Sequence, residues 1–208
     1  MKLYTYFRSS AAYRVRIALN LKGVTVESVA VDLLKGEHKL APFAEINPQR
    51  RVPALDIQGT ILLQSPAILE YLDEVYPEPP LLPIGALQRA RVRAVGSIVA
   101  CDIHPLNNSG TLAYLKTRLG QDRASMDSWY AHWVTAGFDA IETLLQPGPY
   151  AFGSRPTLAD IYLVPQVFNA RRFDIPLSPY PRIVAVEAAC SRIDAFERAA
   201  PARQPDAA

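Results

Sequence analysis

The first eighty residues change their hydrophobic period repeatedly. Residues 2–7 are short, aromatic and apolar, which predicts a buried strand. Over 11–22, Val15, Ala18, Leu19 and Leu21 recur at helical spacing, and Gly23 follows as a C-terminal stop. Residues 24–31 are rich in β-branched side chains and predict a second strand, parallel to the first because a helix crosses between them. A short helix is expected over 37–46, then a hairpin over 52–57 and 60–63 around Gln58-Gly59. A helix over 65–76 has Ser65 as its N-cap and Pro66 in its first helical position. The order β-α-β-α-β-β-α predicts a small mixed sheet with helices.

The stretch Pro77-Glu78-Pro79-Pro80-Leu81-Leu82-Pro83 cannot continue a helix and reads as a linker, extended here to 77–85. Beyond it strand signals vanish. Residues 88–107, 124–145, 158–169 and 183–196 carry apolar positions three to four apart, the pattern of a helical bundle. Thr157-Leu158-Ala159-Asp160 is a capping box with Asp in place of Glu or Gln, so Asp160 is expected to be structural. The fold class is therefore α/β plus all-α in two domains, 1–80 and 86–208.

Composition narrows the function classes. Of 208 residues 50% are hydrophobic and 20% charged, enough for a core and too apolar for disorder. A formal net charge of +2 gives no pull toward nucleic acid or a membrane surface. The start MKLYTYFRSS is no secretory signal, and no apolar run approaches the ~18 residues of a membrane helix. Cys101 and Cys190 make neither a disulfide framework nor a C-x-x-C pair, and read as packed, reduced thiols of a cytoplasmic protein. The three histidines have no metal-ligand spacing, so no metal is expected.

Three places carry candidate chemistry. Arg8-Ser9-Ser10 lies where the first strand gives way to the first helix, and a helix start favours an anion. Either serine also serves as an ordinary cap, and a cap needs nothing more. No G-x-S-x-G elbow surrounds them. Val52-Pro53 opens a strand with a residue that cannot donate to the ladder; with a cis bond there, the Val52 amide and carbonyl are free to pair with a peptide ligand. Gln64-Ser65 heads a second anion-friendly helix start.

Taken together the chain resembles the cytosolic glutathione transferases, and within them the zeta class of maleylacetoacetate and maleylpyruvate isomerases. The carriers are Tyr6-Phe7-Arg8-Ser9-Ser10, Arg14-Val15-Arg16-Ile17-Ala18-Leu19, Asn47-Pro48, Val52-Pro53-Ala54-Leu55 and Gln64-Ser65. Further along they are His104-Pro105-Leu106-Asn107-Asn108, Leu163-Val164-Pro165-Gln166-Val167, Asn169-Ala170-Arg171-Arg172-Phe173, Pro179-Tyr180-Pro181 and the tail Arg203-Gln204-Pro205-Asp206. The resemblance implies the glutathione transferase fold, with a thioredoxin-like N-terminal domain, an all-helical C-terminal domain, glutathione as cofactor and a homodimer. It implies that Ser9 and Ser10 are catalytic, Ser9 stabilising the glutathione thiolate with Ser10 beside it, and that Ser9, Ser10, His38, Val52, Pro53, Gln64, Ser65, His104 and Asn108 bind glutathione. Arg8 and Arg172 would receive the carboxylates of a small dicarboxylate-like substrate. The implied reaction is cis–trans isomerisation; the alternatives are conjugation of glutathione to small (halo)carboxylates or other electrophiles, and a binding protein without catalysis. Two departures stand out. Ala11 occupies the position of a cysteine common in the class, and Ser109-Gly110 stands where maleylpyruvate relatives place arginines.

Overall fold

In a computed structural model that describes residues 1–207, strand β1 (Lys2–Thr5) runs parallel to β2 (Glu27–Ala30) and antiparallel to β3 (Ala54–Ile57). Strand β4 (Thr60–Leu63) completes a mixed sheet of order β2-β1-β3-β4. The register sets Leu3 opposite Ser28 on one side and Leu55 on the other, with Leu55 facing Leu62. Gln58 and Gly59 both have positive φ, 52° and 92°, as a two-residue hairpin of this hand requires. The Gly59 amide donates to Asp56 at 2.7 Å, closing the turn.

Helix α1 (Ser10–Leu21) is buried from Ala12 to Leu19 and packs against α3 (Ser65–Val75). Between them in the chain lie a 3-10 turn (Glu37–Lys39) and α2 (Ala41–Ile46), where a single short helix was expected. Boundaries also differ: β1 and β2 are shorter than the expected 2–7 and 24–31. The ladder of β3 starts at Ala54 rather than Val52, because Pro53 has no N–H to give. The N-cap of α3 is Gln64, with Ser65 and Pro66 as its first two helical residues.

The second unit, Leu81–Cys190, is helical. Helix α4 (Ala86–Ser97) runs through a widened π turn (Ile98–Ile103) into α5 (His104–Asn107). Pro105 cannot donate to the carbonyl of Cys101 and its ring crowds that carbonyl, so the backbone opens over the preceding turn. Helix α6 (Ser109–Arg118) is absent from the sequence expectation. Leu115 is its single buried residue, so no apolar face announces it. Helices α7 (Arg123–Leu144), α8 (Leu158–Arg172) and α9 (Pro181–Cys190) complete the unit. Helix α8 is its centre, buried from Leu158 through Val167 and packed on α4 and α9. Gly96 on α4 allows the close approach: a Cβ there would lie 2.8 Å from the Tyr162 ring.

The chain from Ser191 onward belongs with the first unit, not with the helical one in which the sequence reading places it. Its helix α10 (Asp194–Ala199) buries Ala195, Phe196 and Ala199 and packs on α1. The continuous helix expected over 183–196 is therefore two helices, α9 and α10, in different units. Cys190 is buried as expected, whereas Cys101 is exposed, since it falls on the outer side of the π turn.

Candidate active site

Ser9 is the N-cap of α1. Its Oγ accepts from the Ala12 amide at 3.2 Å, its own amide donates to Tyr6 O at 2.9 Å, and its carbonyl accepts from Tyr13 at 2.8 Å. A serine hydroxyl holds one proton and two lone pairs. The cap uses a lone pair, and the proton meets no acceptor among the described residues. Capping and outward donation thus coexist in one side chain. No acidic residue occupies the first turn of α1, and the Ala11 amide meets no acceptor among the described residues. Ser10, the first helical residue, is 4% exposed, whereas Ser9 is only half-buried. The two serines are not equivalent, and the accessible hydroxyl is that of Ser9.

Arg8 precedes it. Its guanidinium donates to the Tyr6 hydroxyl at 3.1 Å and lies 5.2 Å from the centre of the Phe7 ring. It makes no ion pair among the described residues, so its charge is available to an anion from outside.

A second anion-binding start lies at the head of α3. Gln64 has φ 68° and ψ 118°, a backbone conformation costly for a residue with a Cβ. Its Nε2 donates to Gln49 Oε1 at 2.5 Å. The amides of Ser65 and Ala67 are left open by the helix start, and Pro66 has none. Buried Arg14 of α1 donates to Ser65 Oγ at 3.3 Å, tying the two helix starts together. Val52 and Tyr6 share one apolar cluster with Val31 and Phe43. The Val52–Pro53 bond is cis, and the Val52 amide and carbonyl have no main-chain partner among the described residues. These main-chain groups, the Ser9 hydroxyl proton and the two helix starts are open to a ligand, the helix starts to an anion.

His38 sits in the 3-10 turn, its Nδ1 buried without a partner, and its pKa lies below the usual imidazole value because of burial and the neighbouring Lys39. In the helical unit, Asn108 caps α6: its Oδ1 accepts from Gly110 at 2.8 Å and Thr111 at 3.0 Å, and its Nδ2 donates to Pro105 O at 2.7 Å. One N–H of Asn108 remains for any ligand. His104 opens α5. Arg172 lies within reach of Asn169 Oδ1 at 3.3 Å and against the rings of Phe168 and Phe173, while its neighbour Arg171 takes the ion pair with Glu187.

Sequence reasoning assigned no role to Arg16. It is 5% exposed and donates to Ala199 O at 3.0 Å, Thr5 Oγ1 at 3.0 Å, Tyr6 O at 3.3 Å and Phe7 O at 3.0 Å. Burial brings its pKa down to about 10 against the opposing charge of Asp206. The signal was present: Arg14 and Arg16 are charges inside an otherwise apolar helix, and such charges persist only with partners.

Residues 1–74 match the family described as glutathione S-transferase, N-terminal domain, and residues 134–189 its C-terminal domain. The chain is 56% identical, over the full length of both, to a maleylpyruvate isomerase of Ralstonia sp. It superposes with a TM-score of 0.98 on a holo maleyl pyruvate isomerase described as a bacterial zeta-class glutathione S-transferase, 56% identical and covering all of both chains. It is also similar to a maleylacetoacetate isomerase from Anaeromyxobacter dehalogenans 2CP-1, with a TM-score of 0.88 at 42% identity, covering 100% of this chain and 97% of that one. That structure holds dicarboxyethyl glutathione and citrate in its active site.

Proposed function

Because the chain belongs to the glutathione S-transferase family, in its zeta class, we propose that it is a glutathione-dependent cis–trans isomerase acting on maleylpyruvate or maleylacetoacetate. The observation that carries this reading is the Ser9 hydroxyl, engaged as a cap through its oxygen and open through its proton, at a helix start without an acid. When bound, glutathione supplies a thiolate that adds to one end of an activated double bond and departs once the bond has turned, so it is regenerated.

The chain's task is to keep that sulfur anionic. A free thiol has a pKa of about 8.5, and lowering it two units requires ~2.7 kcal/mol. The start of a helix contributes about 0.3–1 kcal/mol, and ~2 in partly buried geometry. A hydroxyl donating to the charge adds about 1.5–3 kcal/mol. Ser9 at the start of α1 unites both contributions, which together meet the requirement.

Gln64, Ser65 and the open amides of α3 hold the γ-glutamyl carboxylate of the tripeptide. The main chain of Val52, set by Pro53, pairs with its cysteinyl backbone, and His38 donates from a neutral ring to its glycyl end. Ser10 supports the turn of Ser9. From the helical unit His104 and the remaining N–H of Asn108 are assigned to glutathione. Arg8 and Arg172 are assigned the carboxylates of the substrate, which their planar forks suit. The bound dicarboxyethyl glutathione of the Anaeromyxobacter relative, a tripeptide and a dicarboxylate in one molecule, supports the same pairing of ligand chemistries. We assign the protein a cytoplasmic location and a homodimeric state, the latter to be read by light scattering.

The test is stoichiometric. Catalytic glutathione is expected to support complete conversion of a maleyl substrate to its fumaryl isomer, followed by absorbance, with the thiol undiminished. Loss of one glutathione per substrate converted makes the enzyme a conjugating transferase instead.

A further inference from the structure

The tail after α10 reaches back to the loop that carries Ser9. Gln204 donates to the carbonyls of Arg198 at 2.8 Å and Ala200 at 3.0 Å, and Arg203 pairs with Glu197, so the tail is fixed on α10. From there the Asp206 carboxylate accepts the Phe7 amide at 2.8 Å. On the other side of the same residue, Arg16 donates to Phe7 O and Tyr6 O, and its Nε anchors to Ala199 O. Both polar groups of Phe7 are thereby held by partners from α1 and the tail. The loop has few bonds of its own: Ser9 N to Tyr6 O closes its turn, and Phe7 is two residues from the hydroxyl.

We infer that Asp206 is a positioning residue for Ser9: by fixing the Phe7 amide, the tail sets the loop so that the hydroxyl meets the sulfur. The inference rests on the reading of Ser9 given above. A displacement of about 1 Å at a reacting group costs up to ~10²-fold in rate, so one hydrogen bond two residues away has leverage.

Charge and position make opposite demands here, which gives the test its sign. Asp206 is an anion; if it acted by charge alone, removing it would favour a nearby thiolate and lower the thiol pKa. If it acts by position, its removal raises that pKa. The bound thiol is titrated by ultraviolet absorbance with saturating glutathione, well below each variant's melting temperature, and kcat is measured beside it. Asp206→Ala is expected to raise the thiol pKa and lower kcat about tenfold. Asp206→Asn, which keeps an oxygen for the Phe7 amide but not the charge, is expected to keep most of kcat, with a thiol pKa below that of Asp206→Ala. An unchanged or lowered thiol pKa in folded Asp206→Ala overturns the inference, even if melting temperatures fall. If Asp206→Ala does not fold, Asp206→Glu decides, since it keeps the charge and displaces the oxygen: a raised thiol pKa supports positioning and an unchanged one overturns it. A wild-type protein that shows no bound thiolate refutes the reading of Ser9 itself, a result distinct from equal thiolate in wild type and variant.

Discussion

Helix α1 opens on Ser9 and helix α8 on Thr157, and three residues further on the first carries Ala12 where the second carries Asp160. In α8 the box closes on itself. Asp160 Oδ2 accepts from the Thr157 amide at 2.7 Å and the Thr157 hydroxyl at 3.0 Å, and Oδ1 accepts from Ala151 at 2.8 Å. Asp160 is completely buried, and that burial outweighs the hydrogen bonds and pushes its carboxyl up. In α1 the hydroxyl accepts from the third amide, but no carboxylate follows, and the proton and the second amide stay open. A helix start attracts negative charge in either case. The α8 start supplies its own carboxyl acceptor and becomes structure. The α1 start lacks one and can take an anion from a ligand.

The largest effect that tests this contrast is on stability. Asp160→Ala strands three buried donors and is expected to cost about 3–5 kcal/mol, read from urea denaturation midpoints. The thiol titration and kcat of the protein that remains folded at low temperature should be those of the wild type. A raised thiol pKa in that folded fraction would show that the closed box also serves the chemistry.

Ser9→Ala reverses the pattern. The cap accounts for about 1 kcal/mol of stability. Losing a donor of ~3 kcal/mol to the charged sulfur lowers kcat by roughly 10²-fold and raises the thiol pKa. If absorbance titration of the bound thiol is the same in wild type and variant, Ser9 is only a cap and the two helix starts differ in nothing that matters to catalysis.

The contrast also explains what could be seen in the sequence. The βαβ unit, the Gln58-Gly59 hairpin and the long helices of the second unit were legible because period and turn chemistry agree in them. The capping box was legible because Thr157 and Asp160 are three apart in sequence and do all their work locally. Helix α6 was not, since its stability comes from the Asn108 cap and neighbouring helices rather than from an apolar face. The return of α10 to the first unit was hidden too, because an apolar stripe records that it is covered and not by what. At the site, Ser9, Gln64 and Ser65 stood at predictable helix starts. The groups bonded to Ser65 and to the Tyr6–Phe7 main chain, Arg14, Arg16 and Asp206, lie 51, 10 and 199 residues from the atoms they bind, beyond any local pattern.

The smallest expected effect is the sharpest, because it makes α1 imitate α8. Ala12, the counterpart of Asp160, is fully buried and has no room for a carboxylate, but Ala11 beside it is partly exposed. Ala11→Glu places an anion in the first turn of α1. For folding alone this is favourable by about 0.3–1 kcal/mol, the usual interaction of a carboxylate with a helix start. For the bound sulfur it is unfavourable, because a like charge now occupies the field that stabilised the thiolate. The variant should therefore melt no lower than the wild type while its thiol pKa rises and its kcat falls about tenfold, roughly one pKa unit of lost stabilisation. Differential scanning calorimetry and the absorbance titration read the two halves separately. Salt should narrow the gap in thiol pKa, since the added charge lies at a partly exposed position where ions screen it. A variant with both greater stability and undiminished thiolate would mean that the helix start contributes nothing to the sulfur, and that the absence of an acid in α1 has no bearing on its chemistry.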